Sequence, residues 1–361
     1  MSIKKLIFAH LLNDYSGSPL VLSTAIRRFV SEGVTVEVIT SEGPGFLSDI
    51  ESVRYRLLKY RFFENKFKRA LALLWSQFAM FFLVLAKAEK GTVVYVNTLL
   101  PFGAALAGRL RRGKVVYHLH ETTVNPPILK AFLRKTARAC ATEAIYVSQF
   151  LMEKEPLPGV ASRVVYNCLP KDFVEKAEAH LATHPTKTGP FTVLMLCSLK
   201  AYKGVGAFTK LAERLPALRF VLVLNSDYAS IQRHFDGQAL PENLFVFPTQ
   251  NDVHSFYQEA HLVLNLSHPD QWVETFGMTL LEAMSYGLPV IAPPVGGPVE
   301  LVTDGFNGYR IDQRDLERLS EEVSRLFGAK ADYQSLSTNA KSFARQFSEQ
   351  RFGGELVSAL G

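Results

Sequence analysis

Short apolar runs of strand length alternate with segments whose apolar residues recur at helical spacing along nearly the whole chain. A run at 6–9 is followed by a Ser/Gly-containing loop, a helical pattern near 20–31, Gly33 and a second run at 34–40. Further runs stand at 93–96, 115–119, 143–147 and 164–166, with helical patterns at 104–110 and 129–136 between them. Such alternation predicts a doubly wound α/β domain with a largely parallel sheet.

The pattern then breaks. Residues 173–189 carry Glu, Lys, His, Thr and Pro without a strand-like run and read as a linker, with room for a short helix. Alternation restarts with runs at 192–197, 220–224, 244–247 and 262–266 and helical patterns at 207–215 and 253–260. A second α/β domain is the economical reading. The expected division is 1–172, a linker at 173–189, 190–332 and a closing helix at 333–361. In doubly wound sheets, ligands bind beyond the carboxyl ends of the strands, which would place a site in a cleft between two such domains.

Composition adds little to this and excludes some classes. The chain has 361 residues, 48% of them hydrophobic and 20% charged, with no low-complexity tract. Cys140, Cys168 and Cys197 have no CxxC spacing, which argues against a zinc site or disulfide scaffold and fits a reducing compartment. The first ten residues run straight into a strand pattern, without the longer apolar core of a secretory signal, so a cytoplasmic location is expected.

The net charge of +6 admits anionic partners, and its placement sharpens the point. Lys59, Arg61, Lys66, Lys68 and Arg69 are interleaved with Tyr60, Phe62, Phe63 and Phe67, and lead into an apolar run at 70–86. The basic-aromatic part predicts peripheral attachment to an anionic membrane surface, with the aromatics in the headgroup layer. The apolar part predicts a buried core helix. It contains Ser76 and Gln77 and lies within one α/β pattern, so a spanning role is not expected. No nucleic-acid-binding motif accompanies the patch, and no nucleic-acid partner is expected.

The densest candidate chemistry is Glu274-Thr-Phe-Gly-Met-Thr-Leu-Leu-Glu282. Met278, Leu280, Leu281 and Met284 give a helical stripe that stops at Gly287-Leu-Pro289. Glu274 then precedes a helix and Glu282 lies inside it. A carboxylate accepts from two hydroxyls of a vicinal diol, and the first amides of a helix suit a phosphate. Singly, Glu274 reads as a cap and Glu282 as a solvated helix face; together they suit a nucleotide-sugar.

This segment resembles the E-x7-E signature of retaining glycosyltransferase family four, whose members share the two-domain GT-B fold, and the chain is similar to the bacterial surface-polysaccharide type. Gly287-Leu-Pro-Val-Ile291, Gly296-Gly-Pro-Val-Glu300 and Asp304-Gly-Phe-Asn-Gly308 extend the likeness. The resemblance implies two Rossmann-like domains facing a central cleft, with the last helix crossing back to the first domain. It implies that Glu274 binds donor-sugar hydroxyls, that the backbone at Phe276, Gly277 and Met278 meets sugar and phosphate, and that Glu282 binds the ribose diol.

The loop Cys197-Ser-Leu-Lys-Ala-Tyr-Lys-Gly204 resembles the family's Gly-Arg-Leu-x-x-x-Lys-Gly, whose arginine and lysine hold the donor diphosphate. Lys203 matches the lysine. Ser198 stands where the arginine is expected, with Lys200 two residues on as a substitute cation. Gly17, in Ser16-Gly-Ser18, partly matches a Gly-Gly loop that approaches the donor; an ordinary strand-to-helix turn is the equal alternative. His118 and His120 alternate onto one strand face. A metal pair is one reading, but no further ligand cluster has credible spacing; the resemblance favours His120 as the histidine facing the transferred sugar. Glu121 and Asn125 follow it, as acceptor contacts or loop caps. Ser148, Asn167 and Ser267 read as positional.

These readings predict a retaining, metal-independent glycosyltransferase with no cofactor. Its donor would be a UDP-, GDP- or other nucleotide diphosphate sugar, and its acceptor a lipid-linked saccharide of surface-polysaccharide assembly. Alternatives are a nucleotide-sugar epimerase of the same architecture, a non-catalytic binding protein that kept the fold, and, more distantly, a metal hydrolase built on His118 and His120.

Overall fold

The computed structural model describes residues 3–61, 63–184 and 189–361. Phe62 of the basic-aromatic stretch and 185–188 of the expected linker lie outside them. The chain forms two compact units, Met1–Cys168 with Glu349–Gly361, and Leu169–Ser348.

Unit 1 holds β1 (Lys5–Ala9), α1 (Gly17–Ser31), β2 (Thr35–Ser41), β3 (Val53–Leu58), α2 (Lys66–Lys87), β4 (Val93–Asn97), α3 (Phe102–Leu110), β5 (Lys114–Leu119), α4 (Pro127–Cys140), β6 (Glu143–Tyr146), α5 (Gln149–Lys154) and β7 (Ala161–Val164). Its seven strands are all parallel, in the order β3-β2-β1-β4-β5-β6-β7. Central strands buried on both faces need continuous apolar side chains. Accordingly β1 reads Lys-Leu-Ile-Phe-Ala with four buried residues, and β4 is buried throughout. The edges differ. β3, Val-Arg-Tyr-Arg-Leu-Leu, has one buried residue, and β7 has none. Charged, half-exposed edges discourage pairing with other chains, and they carry little apolar signal. That is why β3 escapes the sequence pattern, and why the run at 164–166 does not mark the strand: β7 ends at Val164.

The order reverses between β1 and β4, so right-handed crossovers place α1 on one face of the sheet and α2, α3 and α4 on the other. The C-terminal α14 (Glu349–Leu360) packs on α1. There Gly353 lies so close to Arg28 that an added Cβ would fall 2.7 Å from its Cδ, and Lys114 Nζ donates to the Ala359 carbonyl at 2.8 Å. The single closing helix expected at 333–361 is thus two helices, one at Lys330–Ala344 in unit 2 and α14 in unit 1.

Unit 2 begins with α6 (Lys171–Thr183), followed by β8 (Thr192–Ser198), α7 (Val205–Arg214), β9 (Arg219–Asn225), α8 (Tyr228–His234), β10 (Leu244–Phe247), α9 (His254–Glu259) and β11 (Leu262–Leu264). Next come α10 (Met278–Ser285), β12 (Val290–Ala292), α11 (Pro298–Leu301), β13 (Gly308–Arg310), α12 (Leu316–Gly328) and α13 (Lys330–Ala344). The sheet is again parallel, β10-β9-β8-β11-β12-β13, with its reversal between β8 and β11. Most of the expected linker is therefore α6. Phe173 on that helix lies tilted against His254 with ring centroids 4.4 Å apart and meets Tyr257 and Tyr286 edge-on. Aromatic packing, not intrinsic propensity, accounts for a helix in so polar a segment.

The expected buried helix at 70–86 is corrected as well. α2 turns Trp75, Phe78 and Phe82 outward and buries Ser76, Gln77, Met80 and Val84. By length and composition, Lys66–Lys87 is the one helix among the described residues that could cross a membrane.

Candidate donor and strand-end sites

In unit 2, the loops leaving β8 and β11 meet at the reversal of strand order, where doubly wound sheets bind ligands. After Ser198, Lys200 N returns to the Ser198 carbonyl, a single 3-10 turn spans Ala201–Lys203, and Gly204 opens α7 with φ +80°. Only glycine fits there: besides the positive φ, a Cβ would lie 2.2 Å from the Leu266 carbonyl oxygen. Gly204 thereby holds the lysine loop against the end of β11. Lys203 Nζ reaches Glu274 Oε2 at 2.7 Å and Ser267 Oγ at 3.4 Å. Its ammonium lies 5.8 Å from the Trp272 ring centroid, and that ring stacks on Tyr202.

Glu274 is held from behind. Gly297 N donates to the Glu274 carbonyl at 2.9 Å, and a Cβ on Gly297 would lie 2.1 Å from the Thr275 carbonyl oxygen. The Gly296-Gly297 pair thus lets one backbone lie directly against the other. Past Gly277, α10 begins. Its first helical bond runs from Leu281 N to the Gly277 carbonyl, so the amides of Met278 and Thr279 precede the hydrogen-bond ladder and point ahead of the helix.

Glu282 lies one turn into α10, away from the lysine loop. Its Oε2 accepts from the Tyr257 hydroxyl at 2.5 Å. Burial raises the carboxyl's pKa above the usual range, and the Tyr257 hydrogen bond opposes that shift. Tyr257 stacks on Tyr286, whose hydroxyl pairs with His254 Nδ1 at 2.6 Å. Lys203, Ser267, Glu274 and the amide end of α10 are therefore brought together. Glu282 stands on the same helix in an aromatic setting, and the exposed Lys200 caps the 3-10 turn. No sequence signal singled out Tyr257; an aromatic at mid-helix reads as core.

In unit 1, the ends of β1, β4 and β5 converge on Asn97, a residue the sequence did not single out. A polar residue closing an apolar strand at the switch point was the available signal. Asn97 Oδ1 lies 2.9 Å from His120 Nε2, and its Nδ2 lies 3.1 Å from His10 Nδ1 and 3.3 Å from the Ser18 carbonyl. The amide lies between the two rings, its oxygen facing His120 Nε2 and its nitrogen facing His10 Nδ1, in an enclosure that favours the uncharged form of each. Burial lowers the pKa of each, and for His120 neighbouring His118 and His10 lower it further.

His118 is fully buried. Its Nδ1 pairs with the Tyr95 hydroxyl at 2.7 Å, and burial lowers its pKa to about 3. Enclosed in this way, it is a packing residue. Among the described residues no group of three or more His, Cys, Asp or Glu is placed to hold a metal ion. Glu121 turns its carboxylate to the amides of Leu99 at 2.8 Å and His120 at 3.2 Å, tying the loops after β4 and β5 together, while Asn125 is exposed. Gly17 forms the exposed start of α1, and Ser148 caps α5 by accepting from Leu151 N at 3.1 Å. Lys59 and Arg61 are exposed ahead of α2; Lys66, Lys68 and Arg69 occupy its first turn.

Two family models match the chain. Residues 15–170 match Glycosyltransferase Family 4, and residues 176–343 match Glycosyl transferases group 1. A curated relative is poly(glycerol-phosphate) alpha-glucosyltransferase of Bacillus subtilis, 29% identical over 41% of this chain and 22% of that protein. Another is sucrose synthase of Acidithiobacillus caldus, 49% identical over 14% of this chain and 6% of that protein. The chain thus spans less than a quarter of the length of these relatives. Among solved structures, Anabaena HepE in complex with UDP and glucose superposes with a TM-score of 0.79 at 18% identity, covering 99% of both chains. The chain thus joins a Glycosyltransferase Family 4 unit to a Glycosyl transferases group 1 unit and belongs with the glycosyltransferases of GT-B fold.

Proposed function

We propose that the protein is a retaining, metal-independent transferase that moves a sugar from a nucleotide diphosphate sugar to a saccharide acceptor. The observation that carries this reading is the Lys203–Glu274 pair at the strand-order reversal, in front of the first amides of α10. In the ligand-free protein each charge satisfies the other. A donor offers each a better partner: sugar hydroxyls for the Glu274 carboxylate, and diphosphate oxygens for the Lys203 ammonium and the amides of Met278 and Thr279. As the bond from sugar to diphosphate breaks, negative charge grows on the leaving oxygens, and these donors stabilise it without rearranging. Ser198 adds a hydroxyl donor at this place, and exposed Lys200 a second cation. Glu282, held by Tyr257, accepts from the ribose diol.

Unit 1 supplies the acceptor side. His120, buried and fixed through Asn97, offers a saccharide an uncharged hydrogen-bonding group. The acceptor in this reading is a lipid-linked saccharide of surface-polysaccharide assembly, met at the cytoplasmic membrane face. Two neighbours are transferases of polymer or lipopolysaccharide assembly. One is the B. subtilis alpha-glucosyltransferase, whose named acceptor is a poly(glycerol-phosphate). The other is WaaG, a glycosyltransferase involved in lipopolysaccharide biosynthesis, which superposes with a TM-score of 0.72 at 15% identity. The HepE complexes, with UDP and with UDP-glucose, make uracil the first base to try.

The test is a thermal-shift panel of nucleoside diphosphates and their sugars, followed by transfer assays with Lys203→Met and Glu274→Ala. A matching nucleotide-sugar should raise the melting temperature by mass action. Lys203→Met should lower transfer by about a hundredfold or more, the scale for one lost leaving-group donor. Glu274→Ala should abolish sugar discrimination while nucleoside diphosphate binding survives. A panel in which no nucleotide shifts the melting curve would overturn the reading.

A further inference from the structure

α2 is amphipathic in the reverse sense for a helix of a water-soluble domain. At the ~100° per residue of an α-helix, Phe67, Leu71, Leu74, Trp75, Phe78 and Phe82 fall within an arc of about 100°. All six are exposed, Trp75 by 69% and Phe78 by 58%. The opposite arc holds Ser76 and Gln77, each 3% exposed. That side is fixed to the domain: Gln77 Oε1 accepts from Gly103 N at 3.0 Å, and the Arg111 guanidinium donates to the Leu85 carbonyl. α2 therefore lies along the domain with its apolar side outward and is not free to leave it.

The neighbouring helices continue the face. α3 packs between α2 and α4, and exposes Leu106 and Leu110; α4 exposes Ile128 and Phe132. The three helices together contain nine Lys or Arg and no Asp or Glu, more positive charge than the whole chain's net +6. Lys130 and Arg134 are paired with Glu155, but Lys66, Lys68, Arg109, Lys135 and Arg138 are exposed, as is Arg112 just past α3. Arg109 and Arg112 flank Leu106 and Leu110 in an open depression.

We propose that this three-helix face inserts into the interface of an anionic lipid bilayer, α2 lying in the membrane plane with its aromatic stripe among the acyl chains and the basic residues at the headgroups. Charge complementarity selects this occupant. A second copy of the chain, meeting the face by two-fold symmetry, would bring the same net-basic surface against itself, whereas anionic lipid neutralises it and Trp and Phe suit the headgroup boundary. The inference rests on the membrane-peripheral part of the function proposed above, not on the transfer reaction. It moves the contact from the segment around Lys59 to the outer side of α2–α4.

The test is sedimentation of the full chain with vesicles of phosphatidylglycerol and of phosphatidylcholine. Wild type is expected to bind phosphatidylglycerol about tenfold or more tightly, with the preference falling as salt rises. Trp75→Ser with Phe78→Ser should weaken binding about tenfold or more, with the melting temperature and nucleotide binding unchanged because both side chains are exposed. Arg109→Glu with Arg112→Glu should remove the preference for phosphatidylglycerol. Wild type that fails to sediment with either vesicle overturns both this inference and membrane attachment itself. Wild type that sediments together with unaltered variants overturns this face alone. A concentration-dependent dimer in gel filtration that Phe78→Ser dissolves would make the second copy the occupant, and overturn it too.

Discussion

Glu282 illustrates how far a single residue's role depends on its partner. Alone on a helix it would be a solvated carboxylate. Half-buried against Tyr257, it has a raised pKa and a hydroxyl that already donates to it. Binding a ribose diol requires the ionised, acceptor-only form. As pH falls through the raised pKa, that form is lost, so nucleoside diphosphate affinity should decline from a higher pH than an ordinary carboxylate would allow. Tyr257→Phe removes the opposing hydrogen bond and should move the midpoint of the decline upward; losing a hydrogen bond to a buried charge costs about 1–3 kcal/mol. Glu282→Gln should bind more weakly at neutral pH and show only the ligand's own titration. Calorimetric Kd values for the three proteins across the acid range check this. Identical midpoints in wild type and Tyr257→Phe would mean that the hydroxyl does not tune the carboxylate.

Among the elements, the tight approach of Gly297 to the 274–276 backbone makes a discriminating prediction. Its Cβ space is filled by the Thr275 carbonyl and Phe276 Cα, whereas Gly206, within α7, has open space around it. Gly297→Ala should destabilise unit 2 by about 1–3 kcal/mol through forced backbone shifts and weaken donor binding with it. Gly206→Ala should stabilise by about 0.5–1 kcal/mol through helix propensity alone. Melting temperatures with and without nucleotide separate the two. The same local logic decides which elements could be read from the sequence. Interior strands such as β1, β4, β8 and β9 announce themselves as apolar runs because both faces are covered. β3, β7 and β13 are sheet edges, and their polar residues hide or displace them. α6 fills most of a segment that reads as a linker with a short helix, and α2 faces the other way from its expected burial, for a related reason: neighbouring surfaces, not their own composition, decide what they bury. The Glu274–Glu282 segment was legible because a helix start, its stop and two carboxylates fall within one short stretch. Asn97 and Tyr257 were not, since each acts through partners distant in sequence.

At the scale of the whole molecule, titratable burial is uneven between the two units. Unit 1 carries His10, His118 and His120 at its strand ends, all with pKa values lowered by burial. A histidine with a depressed folded-state pKa contributes stability above its unfolded pKa and loses it as pH falls, because the unfolded chain takes up the proton first. For His118 the window runs from 6.5 in the unfolded chain down to about 3 in the fold. The loss through this one group is therefore about 3 kcal/mol by pH 4. His118→Gln keeps an acceptor for the Tyr95 hydroxyl and removes the titration. It should be less stable than wild type at neutral pH, where it forfeits imidazole packing against His120, yet close on wild type, or overtake it, as pH falls. Calorimetric scans at neutral pH and near pH 4 measure this, with the transition shifted by Gly297→Ala marking unit 2. A difference between wild type and His118→Gln that stays constant over that range would show that His118 is protonated equally in both states, and the buried cluster would then have no part in acid sensitivity.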